Sequence, residues 1–580
     1  MDTEKKLYSS HVFILPFTIG SNRLWLPETD KWEEIIDMKD LPYLKEEGYR
    51  YAYEKFLNQE VHDAIRDYSR TYRYTGDERY YQIHCFREGD EEKYPPFTKK
   101  DTILQGYQLE IKYILLRLIQ DDAKGIGFDV DTTKTGFLII AADNYQHEDL
   151  ESIRAINQYG RRIYDPFLIP YLPGRESPQD IVLSSQPLKE YFCLAPVVKD
   201  DFTAGKVRVK TAIEKLFYSF FGRETHLFRQ GFKKKTNDRF LEINRILDDR
   251  MFVLSDYQLE EADFDELSLG IREKSDPLFK KLCRKYEENG QLEEEERWLK
   301  LVYNQQKRLY SYIYIDNGDS TSQSPMSIGP LLQKSIYDRW VDYGTLYGIT
   351  QHSMLMVTKG VPDYLLAYFY SEYLEMILFV LTQRVRILSF SSDAGERAKM
   401  NESSEFILRL QKRYVIFKNQ FLLPELSSQE QAVDLYRMMQ ENFFILSQKE
   451  ILDDQITSLY EISQAESIAE EKKRDEKLNM TVLALTVFTL FTALGDFEAS
   501  IKVILSGIAG LFGINKLIVG LQTGINIDAL IKLLIAVLYI FCVERLIKAS
   551  VSLKMSKNVL KKMIRFVLSV KSEEEKNDYR

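Results

Sequence analysis

The sequence predicts an α+β cytosolic N-terminal domain, then an all-α region with a very long stalk helix leading into a two-helix C-terminal membrane domain. Three observations predict it. Short apolar runs bounded by turn residues dominate the first 260 positions, a strand-like pattern. Between Ser427 and Gly495 there is neither Gly nor Pro, so nothing in the backbone chemistry asks a helix to stop. The apolar excess of a chain that is 44% hydrophobic overall is confined to residues 480–546.

At 580 residues the chain has room for about two to four domains, each with its own core. The boundaries expected are a sensor-like domain over 1–260, a mixed connecting region over 261–362 and a helical region over 363–478. A membrane domain over 479–546 and a basic tail over 547–580 follow. A formal net charge of −10 and a pI near 5.5 argue against direct nucleic-acid binding, which rests on neutralising phosphates. Cys85, Cys193, Cys283 and Cys542 are scattered without a CxxC, as expected for reduced thiols in a cytosolic compartment. The N-terminus, Met1 to Lys6, has no apolar h-region, so no signal peptide is expected.

Residues 11–17 read as a short buried strand ended by Pro16. Tyr80 to Phe86 and Tyr107 to Ile119 read as further strands, the second alternating through Leu109, Ile111, Tyr113 and Leu115. Gly125 to Phe128 and Gly136 to Ala141 have the look of a hairpin. The GxG of Gly125 and Gly127 precedes a strand rather than a helix, so it is a pair of turn glycines and no dinucleotide fingerprint. A helix over Leu150 to Tyr159 runs into Gly160-Arg161-Arg162.

Between 210 and 250, Arg223, His226, Phe228, Arg229, Phe232 and Lys233 to Lys235 interleave charge and aromatics, either a solvated loop or a patch for a phosphate-bearing ligand. Arg339-Trp340 precedes the glycine- and aromatic-rich run Tyr343 to Thr350. Asp363 to Phe390 is a strongly apolar helix, but it carries Glu372, Glu375, Arg384 and Arg386, so it reads as a core helix and not a span. Ser404 to Asn419 forms another helix, turned at Leu422-Leu423-Pro424.

The stalk opens at Ser427, with Glu430 at capping-box spacing. Its apolar stripe runs Leu435, Met438, Met439, Phe443, Leu446, Leu452, Ile456, Leu459 and Ile462. A single helix of that extent would reach about 100 Å. The charged collar Glu470 to Lys477 follows, and then Met480 to Leu494 carries no charge. Val503–Val519 and Ile527–Val543 are further apolar runs, each shorter than the ~20 residues a span needs. The basic tail, Arg545 to Arg565, belongs in the cytosol by the positive-inside rule, and with a cytosolic N-terminus the span number is even; two are expected.

No Walker loop, HExxH or GxSxG occurs, and the six histidines lack paired ligand spacing, so nothing points to an enzyme. Asn479, Val482, Thr486, Thr489 and Ala493 share one helix face, where rings of amide and hydroxyl oxygens would replace part of an ion's water shell. The alternative is that these threonines bond back to their own helix. For a phosphate-bearing ligand the candidates are Arg161, Arg162 and Arg339, with Trp340 to stack on a base; structural ion pairs are the competing use.

A long helix entering the first of two C-terminal spans, then Gly510 to Asn515 (Gly-Leu-Phe-Gly-Ile-Asn), resembles the CorA-type divalent-cation channel family, whose signature is Gly-Met-Asn. The triplet here is Gly513-Ile514-Asn515, similar to the Gly-x-Asn of the zinc-transporting branch. The interval from Thr486 to Gly513 is longer than the family pattern, and Gly524-Ile525-Asn526 repeats the triplet. The segments His11 to Phe17, Gly160 to Phe167 and Arg339 to Thr350 are similar to the CorA-like membrane effectors encoded beside type III CRISPR systems. That resemblance implies a homopentamer in membrane lipid at the bacterial inner membrane, with its N-terminal domains and tail in the cytosol. It also implies a pore lined by Asn479, Thr486, Thr489, Gly513 and Asn515, and gating by a nucleotide messenger such as an S-adenosylmethionine–AMP conjugate (SAM-AMP). It implies no covalent cofactor; a divalent cation would be the permeant or regulatory ion. The other readings are a housekeeping divalent-cation (Mg/Zn/Co) transporter and a membrane-tethered interaction protein without a pore.

Overall fold

The computed structural model describes residues 5–19, 30–44, 47–86, 103–119, 134–163, 177–187, 212–222, 224–227, 240–245, 250–272, 277, 294–316, 322, 324–360, 363–400 and 404–511. The chain divides into two units, Met1–Gln464 and Ala465–Arg580. The first holds a mixed sheet with helices on both faces.

In chain order its elements are β1 (Ser9–Ile19), β2 (Trp32–Ile35), α1 (Glu47–Phe56), α2 (Gln59–Tyr68), β3 (Ser69–Tyr74), β4 (Tyr80–Phe86), β5 (Ile103–Ile119) and β6 (Lys134–Asn144). Then come α3 (Leu150–Gly160), β7 (Ser177–Ser184), α4 (Ala212–Phe221), β8 (Glu224–Leu227), β9 (Phe240–Arg245), β10 (Phe252–Leu259) and α5 (Glu261–Ser268). The rest are α6 (Glu294–Ile313), α7 (Pro325–Ser335), β11 (Ile336–Tyr337), β12 (Thr345–Ile349), β13 (Ser353–Lys359), α8 (Asp363–Tyr368), a π-helical turn (Phe369–Tyr373), α9 (Leu374–Met400), α10 (Ser404–Phe421) and α11 (Glu430–Asn442). Helix α12 (Ile445–Leu511) leaves this unit and continues into the second.

The sheet runs β11-β12-β13-β10-β1-β6-β5-β3-β2, with β4 and β7 beyond β5 and with β9 and β8 beside the far end of β1. It crosses residue 260, because β13 lies parallel to β10, with Val253 opposite Ser353 and Leu259 opposite Lys359. Strands from both sides of that expected boundary therefore share one compact unit.

All eleven residues of β1 are buried, because both faces of the sheet are covered. Alternation sends Val12 and Ile14 to the core shared with Phe369, Ile377 and Leu435, and sends Phe13, Leu15 and Phe17 to the core shared with α3 and α4. Pro16 does not end the strand. It keeps its register with Phe137 but falls between the β10 partners, which stop at Ile14, and the β9 partners, which start at Phe17. A missing N–H costs no ladder bond where no ladder exists.

The stalk differs from a single helix beginning at Ser427. Ser427 is buried, its hydroxyl accepts from the Gln429 amide at 3.2 Å, and α11 begins at Glu430. A break then falls at Phe443 and Phe444, the latter with φ +58°. The sequence has no Gly or Pro there; packing makes the break. Phe443 and Ile445 are both fully buried, and successive α-helical residues rotate by about 100°, so one straight helix would point these two to opposite sides. Beyond the break α12 runs for 67 residues, about 100 Å, and passes through Gly495, Asp496, Glu498 and Lys502 without interruption.

By length and composition, Tyr364–Gly395 is the one stretch among the described residues that passes as a membrane span. Within the fold 89% of its apolar window is buried, so it is a core helix.

Candidate functional site

One seam of the described fold gathers buried polar groups where the π-helical turn and the start of α9 meet the sheet. An apolar helix pressed on a sheet face needs no polar residues there; this one places a polar group at five of six positions from 370 to 375. The Tyr370 hydroxyl donates to Asp143 on β6, and the same carboxylate oxygen accepts from Ser10 at 2.8 Å. Tyr373 and Tyr347 share a hydrogen bond of 3.0 Å, and Gln431 of α11 donates to both hydroxyls, at 2.7 and 3.2 Å.

Glu375 takes a bidentate pair from Arg117 on β5, at 2.6 and 2.7 Å, and accepts from Tyr43. Arg117 also donates to Thr71 at 3.2 Å, so its fork is filled from three sides. Arg117 is 2% exposed and Glu375 is fully buried. Breaking such a pair from one side costs about 3–5 kcal/mol, because it strands the partner. The neighbouring cavity, lined by Ile65, Ser69, Thr382 and Phe421, measures about 10 Å³, the space of one water.

Glu372 is the exception on this seam. It is 1% exposed, one carboxylate oxygen has no hydrogen-bond partner, and burial pushes its pKa up to about 8. Asp256 on β10 is likewise pushed up by burial, to about 7, with hydrogen bonds from Gln258 and Thr358 acting against the shift. A π-helical turn is rare and commonly marks a working part of a helix. Here it carries a buried acid, its pKa raised by burial, between two anchored tyrosines.

A second network has the connectivity of a Ser–His–Asn relay. The Ser9 hydroxyl lies 2.8 Å from His11 Nε2, and His11 Nδ1 lies 2.6 Å from Asn157 Oδ1. None of the three is more than 1% exposed, and burial lowers the His11 pKa to about 4. With Asn144 donating to Ser9 and Asn157 donating to Ser255 and Tyr257, the set is closed on itself and fastens α3 to β1 and β10. No substrate reaches it.

The residues singled out for a ligand fall on different elements. Arg161 ends α3, is 3% exposed, donates to the Ile315 carbonyl at 3.1 Å and offers its own carbonyl to Met251 at 2.7 Å. Arg162 forms an isolated β-bridge with Arg250. Arg339 lies between β11 and β12, donates to Glu430 at 2.5 Å and Asp434 at 3.2 Å on α11, and has its guanidinium 5.6 Å from the Trp340 ring. These contacts clamp a loop to a helix, the structural use weighed for it. The Trp340 indole N–H has no acceptor.

Of the pore candidates, Asn479 is exposed on α12. Thr486 donates to the Val482 carbonyl at 2.8 Å and Thr489 to the Thr486 carbonyl at 2.9 Å. Back-bonding uses the hydroxyl hydrogen and leaves oxygen lone pairs able to face a cation. Gly513 and Asn515 lie outside the described residues, as does the patch from Phe228 to Lys235.

Sequence reasoning counted Glu372, Glu375 and Arg384 only as marks of a core helix. The signal for more was present: charges set inside an otherwise apolar run, with Glu372 and Glu375 three residues apart, need partners across the packing interface. No family model, no curated protein and no solved structure matches the chain.

Proposed function

We propose that the chain is a CorA-like membrane effector, a homo-oligomeric channel whose N-terminal unit senses a nucleotide messenger on the cytosolic side of a bacterial inner membrane. The observation that carries the membrane part of this reading is the course of α12. Leu452, Ile456 and Leu459 are buried within the N-terminal unit. Further along the same helix, past a charged collar, Val482 and Leu485 lie in a charge-free run and remain 52% and 59% exposed. Apolar side chains left uncovered on a single copy call for lipid, for other copies or for both.

The rest of the reading leans on the resemblance already described. It supplies the two-helix membrane domain over 479–546, the homopentamer, the Gly-x-Asn triplet at Gly513 to Asn515 and a ligand such as SAM-AMP. A pentamer would bring five copies of Asn479, Thr486 and Thr489 around one axis and give a permeant cation rings of oxygen. The polar seam supports gating, since Tyr373 and Gln431 couple the sheet, the π-helical turn and α11 through paired hydroxyls.

Ion flux through liposomes containing the full chain tests this reading. Flux that appears only on adding the nucleotide messenger supports it. Flux without a nucleotide, shut by millimolar divalent cation, would instead fit a housekeeping transporter. No flux under any condition would leave a membrane-tethered protein without a pore.

A further inference from the structure

We infer that the π-helical turn is a proton-held latch, which fastens the sheet to α11 while Glu372 and Asp256 are protonated and lets go when they ionise. The latch spans one straight row of residues across five strands. Asp143 of β6 pairs with Ser10 of β1, Ser10 with Asp256 of β10, Asp256 with Met356 of β13 and Met356 with Tyr347 of β12. Directly opposed residues point to one face, here the face on which the turn packs. Tyr370 holds one end of the row through Asp143, and Tyr373 holds the other through Tyr347. Gln431 donates to both hydroxyls of the second pair, so α11 belongs to the same closure. Asp256 stands in the middle of the row, and Glu372 stands in the turn between the two tyrosines.

The acids of this seam differ in what faces them. Glu375 has the fork of Arg117, and Asp143 has the Lys112 ammonium at 3.5 Å besides the hydroxyls of Ser10, Tyr370 and Tyr145. Asp256 is 1% exposed and accepts from two neutral donors, Gln258 at 3.0 Å and Thr358 at 3.3 Å. It also faces Tyr347, and the charge of Asp143 opposes its ionisation. Glu372 faces Tyr368 and Tyr373. Helix α1 packs on the turn, with Phe56 6.3 Å from the Tyr373 ring, and its Tyr53 faces Glu375 and Arg117. Among the described residues neither Arg50 of α1 nor any other cation pairs with Glu372. A buried carboxyl without a cation keeps its proton toward neutral pH. Burial raises Asp256 from 3.8 to about 7 and Glu372 from 4.5 to about 8. The closed seam therefore holds protons that an opened, hydrated seam releases. Closure is favoured at low pH and lost as pH rises through those two windows.

The seam lies within the Met1–Gln464 unit, so its test needs neither a pore nor a nucleotide and stands apart from the channel reading. The test is hydrogen–deuterium exchange of the full chain in detergent, read by mass spectrometry in residues 364–375, in α11 and, as reference, in β1. Variant and wild type are compared at the same pH, which removes the chemical pH dependence of exchange. In wild type, opening of the turn and of α11 should rise by up to about tenfold per pH unit for each ionising acid, between about pH 5 and about pH 8, while β1 stays protected. Glu372→Gln and Asp256→Asn keep a neutral group of the same shape. Each should flatten the rise, and the two together should abolish it. Tyr373→Phe keeps the ring and removes the hydroxyl. It should open α11 faster at every pH with the wild-type slope, which preserves the test if a carboxamide variant does not fold. Variant and wild-type profiles that run parallel would make the two acids simple core groups and overturn the latch. So would an α11 that Tyr373→Phe leaves unmoved, or a β1 that opens by the same factor as the turn, since that is global unfolding.

Discussion

Glu372 shows most clearly how one residue sets a solution property. Its ordinary pKa is 4.5 and burial raises it to about 8 in the fold. Between those values the folded chain holds a proton that the unfolded chain has released. Stability from this group is therefore present at low pH and is lost as pH rises through that window. Glu372→Gln removes the proton exchange and keeps the shape. We expect the stability difference between the variant and wild type to swing in the variant's favour toward pH 8, with a limiting slope of about 1.4 kcal/mol per pH unit. Chemical denaturation of the two proteins across the window measures it. Asp256 has the same sign in both proteins and cancels in the comparison. Parallel pH profiles would mean that Glu372 is solvated or has found a partner.

The break at Phe443 and Phe444 is the informative element, and it divides the roles of two identical neighbours. Phe443 is fully buried between Phe252 and Arg384, so Phe443→Ala should cost about 3–5 kcal/mol in unfolding free energy. Phe444 is 41% exposed in a left-handed conformation, for which a side chain pays and glycine does not. Phe444→Gly should be neutral or stabilising by up to about 1 kcal/mol. Equal losses in the two variants would contradict this division. Along α12, Asn479→Leu and Thr486→Leu each strip a polar oxygen from one helix face while keeping a helix-compatible side chain. Conduction should change with assembly intact, and unchanged flux in both would point to another lining face.

What the sequence disclosed follows from what local pattern can encode. Strand Tyr80–Phe86 and helix Leu150–Gly160 stand where alternation and helical spacing put them, since each pattern depends only on neighbours in the chain. The break at Phe444 depends on which core each ring enters, and no local residue announces it. Pro16 misled for the same reason: a proline ends a strand only where a partner needs its N–H, and pairing is a property of the sheet. The union of β13 with β10 across residue 260 was equally closed to local reading. As for the site, Arg161 and Arg339 were chosen for charge beside glycine or tryptophan. Their hydrogen bonds to the Ile315 carbonyl and to Glu430 and Asp434 became visible only with the fold. Arg384 was read only as a charge that excluded a span, and its hydrogen bonds to Gln351 came into view with the fold.

At the scale of the whole molecule, the proposed function requires the Met1–Gln464 unit to be an aqueous domain and the chain beyond it to enter a bilayer. Among the described residues of the first unit, strand β1 and helix α9 are both covered by the apolar cores they belong to. The charge-free run after Lys477, with Val482 and Leu485 exposed, calls for lipid, for other copies or for both. Alkaline carbonate extraction of membranes from cells expressing either the full chain or residues 1–464 separates the two. The account predicts that the full chain stays in the membrane pellet and that the 1–464 fragment is recovered, folded, in the soluble fraction. A full chain released by carbonate, or a folded fragment retained in the pellet, would contradict it.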